Sequence, residues 1–368
     1  MQPARKLATA PAAHTGRPVP DRAARSPRRS RRALAAAGAM ATLAGIGVVT
    51  AAPPAGALVT VATSGTTVTV TLTGAEELDV RCISGVVSVN TKTGSPTVPC
   101  ATFSKITVNG DSSIQTIEGG DLEVAAFAAK PFLVADLGDG ADTVTTTSRA
   151  DHIDMGPGTD RVYVPRTVTD TLLDGGAGVD YIRPEGADGV DDEIVVSSTN
   201  TNATITHEVA GVVRTNTAEN FEEIDLSGRS GHDALDLSGI TVASSIDDAG
   251  IYGSTGDDVV RGAQFDTDLF AGAGNNQIFG GPDTDNIGSE GNGDVIKTGG
   301  GTGDRIYDRL SGRSGRTVDN LGADNWYIFE GTLGDTTSRI RPGPGGTTVV
   351  TTSLTRTGQQ VLGGSSST

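Results

Sequence analysis

The sequence predicts an all-β protein of short stacked strands, and three observations carry that prediction. Nonamers recur in tandem, as in AGAGNNQIF (271–279), GGPDTDNIG (280–288) and SEGNGDVIK (289–297), each with Asp or Asn sixth and Ile eighth. The 368 residues include 51 glycines but only 4% aromatic residues, which suits repeated turns better than one large globular core. Short alternating runs rich in Val and Thr indicate strands, and no segment after residue 57 has the pattern of a helix.

Residues 1–57 are expected to be a cleaved export signal and not part of the fold. A basic segment ends in SPRRSRR (26–32), an apolar run of small residues covers 33–52, and AGA at 55–57 fits a cleavage site. The paired arginines are similar to those of twin-arginine signals. An uncleaved membrane anchor is the alternative, but the run is rich in Ala and Gly instead of Leu and Ile. We therefore expect a secreted or cell-surface protein without stable membrane insertion.

The charge of the chain limits its partners. It has 45 acids against 28 Lys and Arg, a net charge of −17, and removal of residues 1–57 would take away nine bases and one acid to leave −25. A surface of that sign repels nucleic acid, which is not an expected partner, and anionic lipid. Repulsion among the acids destabilises a compact chain unless something neutralises them, and bound divalent cations are one answer.

Residues 58–125 are expected to form an N-terminal β region. LVTVATSGTTVTVTLT (58–73) and FSKITVNG (103–110) have the alternation of strands. Cys82 and Cys100, 18 residues apart, indicate one disulfide in an exported protein, with two free thiols as the alternative. The predicted region is closed by this disulfide and caps the rest of the fold.

Residues 126–310 are the predicted repeat domain, in the frame glycine–glycine–x–glycine–x–acid–x–aliphatic–x. The frame slips at 262–270, where Asp266 or Asp268 would serve as the acid. Residues 184–227 interrupt it with an insertion predicted to be a β-hairpin or an enlarged coil, and 311–368 are assigned to a C-terminal β cap and polar tail. Further copies are LGDGADTVT (137–145), MGPGTDRVY (155–163), GGAGVDYIR (175–183), GRSGHDALD (228–236), GSTGDDVVR (253–261), GGGTGDRIY (299–307) and DNLGADNWY (319–327).

Each nonamer supplies one turn and one short strand. Glycines allow the tight turn, and the aliphatic residue points inward because neighbours in a strand alternate faces. Two nonamers close a coil of 18 residues, so acids 18 apart form a column: Asp142 over Asp160, and Asp258 with Asn276 and Asp294. Carboxylates one strand spacing apart, roughly 4.8 Å, repel each other. Calcium between them would turn repulsion into binding, because it accepts six to eight carboxylate and carbonyl oxygens.

The tandem copies resemble the haemolysin-type, or RTX, calcium-binding repeats, whose pattern is GGxGxDxUx with U aliphatic. The resemblance covers about 137–183, 228–307 and 319–327, and it implies a parallel β-roll or β-helix with Ca²⁺ as its cofactor. Asn276 departs from the pattern, as does the insertion. A turn residue in a metal-free solenoid is the alternative for every acid, most of all for isolated Asp233 and Asp324. The residues implied in metal binding are Asp142, Asp160, Asp180, Asp258, Asn276, Asp285, Asp294 and Asp304, with Gly138, Gly140, Gly156, Gly158, Gly176, Gly178, Gly253, Gly256, Gly272, Gly274, Gly280 and Gly281.

No catalytic constellation is found, and we expect no enzyme activity. His152, His207 and His232 are in no HExxH arrangement, and nucleophile-elbow and P-loop patterns are absent. The expected function is a secreted, calcium-stabilised structural or surface-interaction protein, with extracellular or cell-surface polymers as further candidate partners. The alternatives are a secreted β-helix enzyme acting on polysaccharides through acid pairs such as Asp191–Asp192 and Glu222–Glu223, and a metal-free solenoid adhesin.

Overall fold

The computed structural model describes most of the chain after residue 57, and all described residues belong to the unit Ala52–Thr368. The predicted export signal and the repeat acid Asp324 lie outside the described residues. Within them, no helix is long and apolar enough to cross a membrane. The described residues are 58–90, 97–165, 170, 172–291 and 293–309, followed by five strands between 317 and 361.

The described elements are strands and one 3-10 helix, Gly119–Glu123. The N-terminal strands are β1 (Leu58–Ser64), β2 (Thr67–Thr73), β3 (Glu76–Leu78), β4 (Val80–Ile83), β5 (Val86–Val89), β6 (Lys105–Asn109) and β7 (Gln115–Glu118). The next are β8 (Phe132–Asp136), β9 (Thr143–Thr145), β10 (His152–Asp154), β11 (Pro157–Gly158), β12 (Arg161–Pro165), β13 (Leu172–Asp174), β14 (Ala177–Gly178) and β15 (Tyr181–Glu185).

The second half of the chain continues in the same way. Its strands are β16 (Asp192–Ser198), β17 (Asn202–Val209), β18 (Val212–Glu219), β19 (Glu223–Ser227), β20 (Ala234–Ile240), β21 (Asp248–Tyr252), β22 (Val259–Arg261), β23 (Thr267–Gly272), β24 (Gln277–Phe279), β25 (Asn286–Ser289), β26 (Val295–Lys297) and β27 (Arg305–Arg309). The last five are β28 (Thr317–Asp319), β29 (Asn325–Glu330), β30 (Arg339–Arg341), β31 (Thr347–Thr351) and β32 (Gln360–Val361).

Two long sheets contain nearly all of these strands. Sheet 1 has the order β1-β2-β6-β8-β10-β13-β18-β17-β16-β20-β22-β24-β26-β28-β30-β32, and sheet 2 has β3-β7-β9-β12-β15-β19-β21-β23-β25-β27-β29-β31. Neighbours are parallel, except that β1 pairs antiparallel with β2 and β17 pairs antiparallel with β16 and β18. From β19 to β32 successive strands alternate between the two sheets. The prediction of an all-β chain is confirmed.

The aliphatic residues at the eighth place of the repeat form the core. Val144, Val162 and Ile182 are register partners in sheet 2, and each is fully buried. Burial of each such side chain contributes about 1.5–3 kcal/mol to the hydrophobic driving force. The same arrangement holds in sheet 1 for Val260, Ile278 and Ile296.

The insertion contributes three strands to sheet 1. The strands β16, β17 and β18 form an antiparallel meander whose outer members pair in parallel with β20 and β13. Of the two predicted forms, a β-hairpin and an enlarged coil, the hairpin is correct, and a third strand extends it into the meander. The repeat register therefore resumes on the far side of the meander.

The disulfide predicted from the cysteine spacing is present, with Cys82 and Cys100 bonded and their Cα atoms 5.9 Å apart. It joins β4, which pairs antiparallel with β5, to the segment just after β5. Val87, Val98 and Phe103 from this region are buried in the same core as the repeats. The N-terminal region therefore packs continuously against the repeat region.

One prediction about the repeat frame is wrong. At 262–270 neither Asp266 nor Asp268 takes the sixth place; Thr267 does, and Leu269 takes the eighth. Thr267 is buried, and its backbone N–H donates to Asp285 Oδ1 at 3.1 Å while its hydroxyl accepts the N–H of Ala263 at 3.0 Å. A threonine hydroxyl can do the hydrogen bonding of the acid, so the frame continues without a slip.

Candidate cation-binding turns

The acids at the sixth place are buried and stacked. Asp142, Asp160 and Asp180 precede strands of sheet 2, and we call the acids at that edge the sheet 2 column; each is fully buried. Asp160 Oδ1 accepts the backbone N–H of Asp142 at 2.6 Å, and Asp180 Oδ1 accepts that of Asp160 at 2.8 Å. Each acid thus binds the peptide of the acid one layer earlier, a role that sequence reasoning about metal ligands missed.

The equivalent acids before strands of sheet 1 form the sheet 1 column. Asp233 N–H donates to Asp258 Oδ1 at 2.9 Å, Asp258 N–H to Asn276 Oδ1 at 2.8 Å, and Asn276 N–H to Asp294 Oδ1 at 2.8 Å. The columns predicted for Asp142 with Asp160 and for Asp258 with Asn276 and Asp294 are therefore correct. At the sheet 2 edge, the N–H of Asp285 likewise donates to Asp304 Oδ1 at 3.0 Å.

Each carboxylate lies inside its own glycine turn. A Cβ added to Gly158 would stand 2.8 Å from both oxygens of Asp160 and 2.0 Å from the carbonyl oxygen of Gly140. Glycine is thus required there by lack of space, whether or not a cation binds. At all twelve predicted glycines, an added Cβ would lie less than 3.0 Å from another atom: Gly138, Gly140, Gly156, Gly158, Gly176, Gly178, Gly253, Gly256, Gly272, Gly274, Gly280 and Gly281.

The second carboxylate oxygen divides the acids into two groups. In the first group a nearby donor reaches Oδ2: Gly281 N–H donates to Asp285 at 2.7 Å, and Gly291 N–H and the Ser289 hydroxyl donate to Asp294 at 3.0 and 2.6 Å. Asp151 and Asp192 are similar, receiving the N–H of Thr147 and of Ala187. The second oxygens of these carboxylates therefore accept at least one hydrogen bond each, although desolvation still raises the pKa of Asp285 to about 8 and that of Asp151 to about 6.

In the second group the buried Oδ2 has no hydrogen-bond partner among the described residues. The group comprises Asp142, Asp160, Asp180, Asp233 and Asp258. In each of their turns the residue four positions earlier has a positive φ: Gly138, Gly156, Gly176, Arg229 and Ser254, with φ from +68° to +87°.

Asn276 shows what faces these oxygens. Its turn has the same conformation, with Gly272 at φ +81°, and its Nδ2 donates to the Gly272 carbonyl at 3.0 Å. An aspartate in such a turn has an oxygen where Asn276 has an NH₂ group. We infer that its Oδ2 faces a carbonyl oxygen, and two lone pairs can approach only across a proton or a cation.

Burial makes the ionised form of these acids unfavourable. Desolvation raises the pKa of Asp142, Asp180 and Asp233 to about 7 and that of Asp160 and Asp258 to about 6. The stacked neighbours add to the effect, since the charge of Asp160 also raises the pKa of Asp142 and Asp180. A bound cation would oppose both effects.

The predicted metal residues thus separate. Oδ2 has no hydrogen-bond partner among the described residues in Asp142, Asp160, Asp180 and Asp258, whereas it accepts hydrogen bonds in Asp285 and Asp294. Asp304 is buried and accepts the Asp285 N–H through Oδ1, and Asn276 is an amide. Sequence reasoning left Asp233 out of the site, although the fit of GRSGHDALD to the frame could have identified it. No group of three or more His, Cys, Asp or Glu side chains able to hold a metal occurs among the described residues. A cation here would need backbone carbonyls for most of its ligands.

The acid pairs considered for glycoside cleavage have structural roles. Asp192 is buried, and its Oδ1 lies 2.8 Å from Nε2 of buried His207, while Glu222 Oε2 accepts the N–H of Asp180 at 3.0 Å. His152, the first residue of β10, and His232 are exposed. No protein-family model matches this chain, and no curated protein matches it.

Proposed function

We propose that the chain is a calcium-binding repeat protein whose two sheets form a parallel β-roll, with cations held in five turns. These are the turns of Asp142, Asp160 and Asp180 at the sheet 2 edge and of Asp233 and Asp258 at the sheet 1 edge. The observation that carries the proposal is the buried Oδ2 oxygen without a hydrogen-bond donor in each turn. A buried carboxylate oxygen without a partner is costly, and a cation offsets that cost.

Calcium suits these turns better than other divalent ions. Its six to eight oxygen ligands include carbonyls in irregular geometry, whereas magnesium demands a near-octahedral shell and retains water. The available donors are one carboxylate oxygen per turn and the carbonyls of a glycine-rich backbone. The proposal does not extend to Asp285 and Asp294, whose Oδ2 oxygens already accept hydrogen bonds.

A metal-free solenoid is the second candidate, and the raised pKa values favour it at low pH. A protonated Oδ2 would donate to the facing carbonyl as the Asn276 amide does. A calcium ion in one candidate and a proton in the other would lie between Oδ2 and the facing carbonyl oxygen. The geometry alone is therefore compatible with either candidate. They differ in whether calcium changes stability at neutral pH.

The setting that we propose is outside the cytoplasm. The disulfide between Cys82 and Cys100 is typical of oxidising compartments, and the predicted signal in residues 1–57 would direct export. Extracellular calcium modules bind at roughly 10⁻⁴–10⁻³ M. Folding would then be completed after export, because metal binding free energy becomes folding free energy.

The test is thermal unfolding of the purified protein, followed by far-UV circular dichroism, with calcium and after chelation by EGTA. We expect calcium to raise Tm and chelation to lower it reversibly. The matched variants are Asp142→Asn, which removes the free oxygen, and Asp139→Asn, which removes the same charge from an exposed position in the same turn. Only the first should reduce the calcium effect. An unchanged Tm after exhaustive chelation would overturn the proposal in favour of the metal-free solenoid.

A further inference from the structure

Two positively charged side chains contact the same aromatic ring on the outer face of sheet 1. Arg261, Phe279 and Lys297 are register partners on the neighbouring strands β22, β24 and β26. The guanidinium carbon of Arg261 lies 4.6 Å from the Phe279 ring centre, and Lys297 Nζ lies 5.2 Å from it. Such cation–π contacts hold both positive groups in a line along the direction in which the strands stack. We call these three residues the basic row.

A surface depression of about 480 Å³ adjoins the basic row at Arg261. Its volume is in the range of ligand pockets, roughly 300–1,000 Å³. It forms where small Ala234 and Val259 face outward between longer neighbours. The side chains that line it are apolar Val195, Ala234 and Val259 and polar Glu193, Asp236 and Arg261.

The positive groups of the basic row are available to a ligand. Lys297 is exposed, and its register partners are Phe279 on β24 and Asp319 on β28. The Arg261 side chain is 41% exposed, and its closest carboxylate oxygen, Asp236 Oδ2, is 4.0 Å from Nε. Two strand spacings, roughly 10 Å, separate their backbones. The site therefore places two positive groups next to the two acids Glu193 and Asp236, on a chain with a net charge of −17.

We propose that the basic row and the depression bind an acidic oligosaccharide, in which sugar rings carry carboxylates. Arg261 and Lys297 bind carboxylates of the sugar chain, Arg261 with the geometry of a guanidinium fork. Sugar hydroxyls donate to the carboxylates of Glu193 and Asp236, and the C–H faces of a ring pack on Val195, Ala234 and Val259.

The two acids in the depression, Glu193 and Asp236, favour an anionic polymer that can donate hydrogen bonds. Glu193 and Asp236 only accept hydrogen bonds when ionised, so a ligand beside them must donate. Sugars have many hydroxyl donors, whereas a phosphate polymer has none and adds further negative charge. The row therefore suits a sugar acid better than polyphosphate. It lies on the outer face of a sheet, so the inference does not depend on the calcium-binding turns.

The test is isothermal titration of the full protein with a β-1,4-linked glucuronate hexasaccharide, its neutral counterpart cellohexaose, and polyphosphate. We expect the glucuronate ligand to bind at least tenfold more tightly than the other two. The double variant R261Q/K297Q should weaken that binding at least tenfold. Its matched control is Lys105→Gln, since Lys105 Nζ lies 5.5 Å from the Phe132 ring in the same sheet, far from the depression along the strand order.

Three results would overturn the inference. They are an unchanged affinity in R261Q/K297Q, an equal loss in Lys105→Gln, and polyphosphate binding that equals glucuronate binding. A Glu193→Gln variant provides a second measure, because an amide acceptor is weaker than a carboxylate; it should weaken binding of the hexasaccharide. Unfolding curves of all variants confirm that they are folded, as expected for exposed side chains.

Discussion

Asn276 has an NH₂ group where Asp160 has a carboxylate oxygen, and the backbones of their turns are alike. The residues four positions earlier, Gly272 and Gly156, have φ of +81° and +82°. The amide of Asn276 donates to the Gly272 carbonyl, whereas Asp160 Oδ2 has no partner among the described residues. At the residue scale, one hydrogen-bond donor therefore separates a turn that is complete on its own from a turn that requires a cation or a proton.

Asp160→Asn tests this difference directly. We expect the metal-free variant to be more stable than the wild type by about 1 kcal/mol at pH 7.5, because the amide adds a hydrogen bond and removes a buried charge. Its stabilisation by calcium should shrink. Chemical unfolding with and without EGTA measures both effects. A metal-free variant less stable than the wild type would contradict the assignment of a carbonyl opposite Oδ2.

Asn276→Asp is the reverse change. It should lower the Tm of the metal-free protein, because a carboxylate would then lie between Asp258 and Asp294. It should also add one calcium ion to the stoichiometry measured by equilibrium dialysis. Asn275→Asp, at the exposed neighbouring position, is the control and should add none. An unaltered calcium count for Asn276→Asp would argue against cation binding in turns of this conformation.

The sequence predicts these turns only in part, because they also depend on the φ angle of the residue four positions before the acid. The sixth and eighth places of the repeat are predictable, because stacking and burial repeat every nine residues. The free Oδ2 is not, since positive φ occurs at Arg229 and Ser254 as well as at glycines. Such conformations are uncommon for residues with a side chain, and here an ion pair with Glu185 holds Arg229. The prediction nevertheless includes Asp258, whose turn has Ser254 at that position, and omits Asp233 because its repeat copy is isolated in the sequence.

At the element scale, the meander β16–β18 pairs with β20 and β13 through its outer strands, and a buried side-chain contact adds to this pairing. His207 on β17 is 2.8 Å from Asp192 on β16, and Asp192 N–H donates to Asp233 Oδ1 at 2.9 Å. The meander thus continues the sheet 1 column across the insertion, and Gly186 leaves room for Asp192 as Gly228 does for Asp233. The sequence predicted strands here but not this contact, because 184–227 was treated as an interruption of the frame, although Asp192 and Ile194 take its sixth and eighth places in 187–195.

His207→Leu should therefore destabilise the protein by about 3 kcal/mol, because it leaves Asp192 buried without its partner. His152→Gln, an exposed change of the same residue type, should alter stability by less than about 0.5 kcal/mol. Denaturant unfolding measures both variants. Equal stability of His207→Leu and the wild type would show that the contact does not hold the meander.

At the scale of the whole molecule, the buried acids determine how stability depends on pH. Burial raises the pKa of the five acids with a free oxygen to about 6 or 7, above the ordinary value of 3.8. The folded protein therefore binds protons more tightly than the unfolded chain. The stability from this difference is complete below the unfolded pKa and is lost as pH rises through the folded pKa.

We expect the metal-free protein to melt at a lower temperature at pH 8 than at pH 5. Calcium should act in the opposite direction, with a larger stabilisation at pH 8, since it binds the ionised carboxylate. Calorimetry at both pH values, with and without calcium, measures this. The triple variant D142N/D160N/D180N should flatten the pH dependence more than three exposed Asp→Asn changes, which alter only net charge. A metal-free Tm that rises from pH 5 to pH 8 would refute the expectation.

The hydrogen bonds of the acid columns all have the same direction. Asp142 donates its N–H to Asp160, and Asp160 donates to Asp180, so every layer relies on a side chain that comes later in the chain. A polypeptide that crosses a membrane amino end first would hold an unpaired amide at its growing tip until the following turn arrives. Under the proposed export, completion of the stack would be vectorial, and truncation from the carboxyl end would expose a fresh donor at each cut.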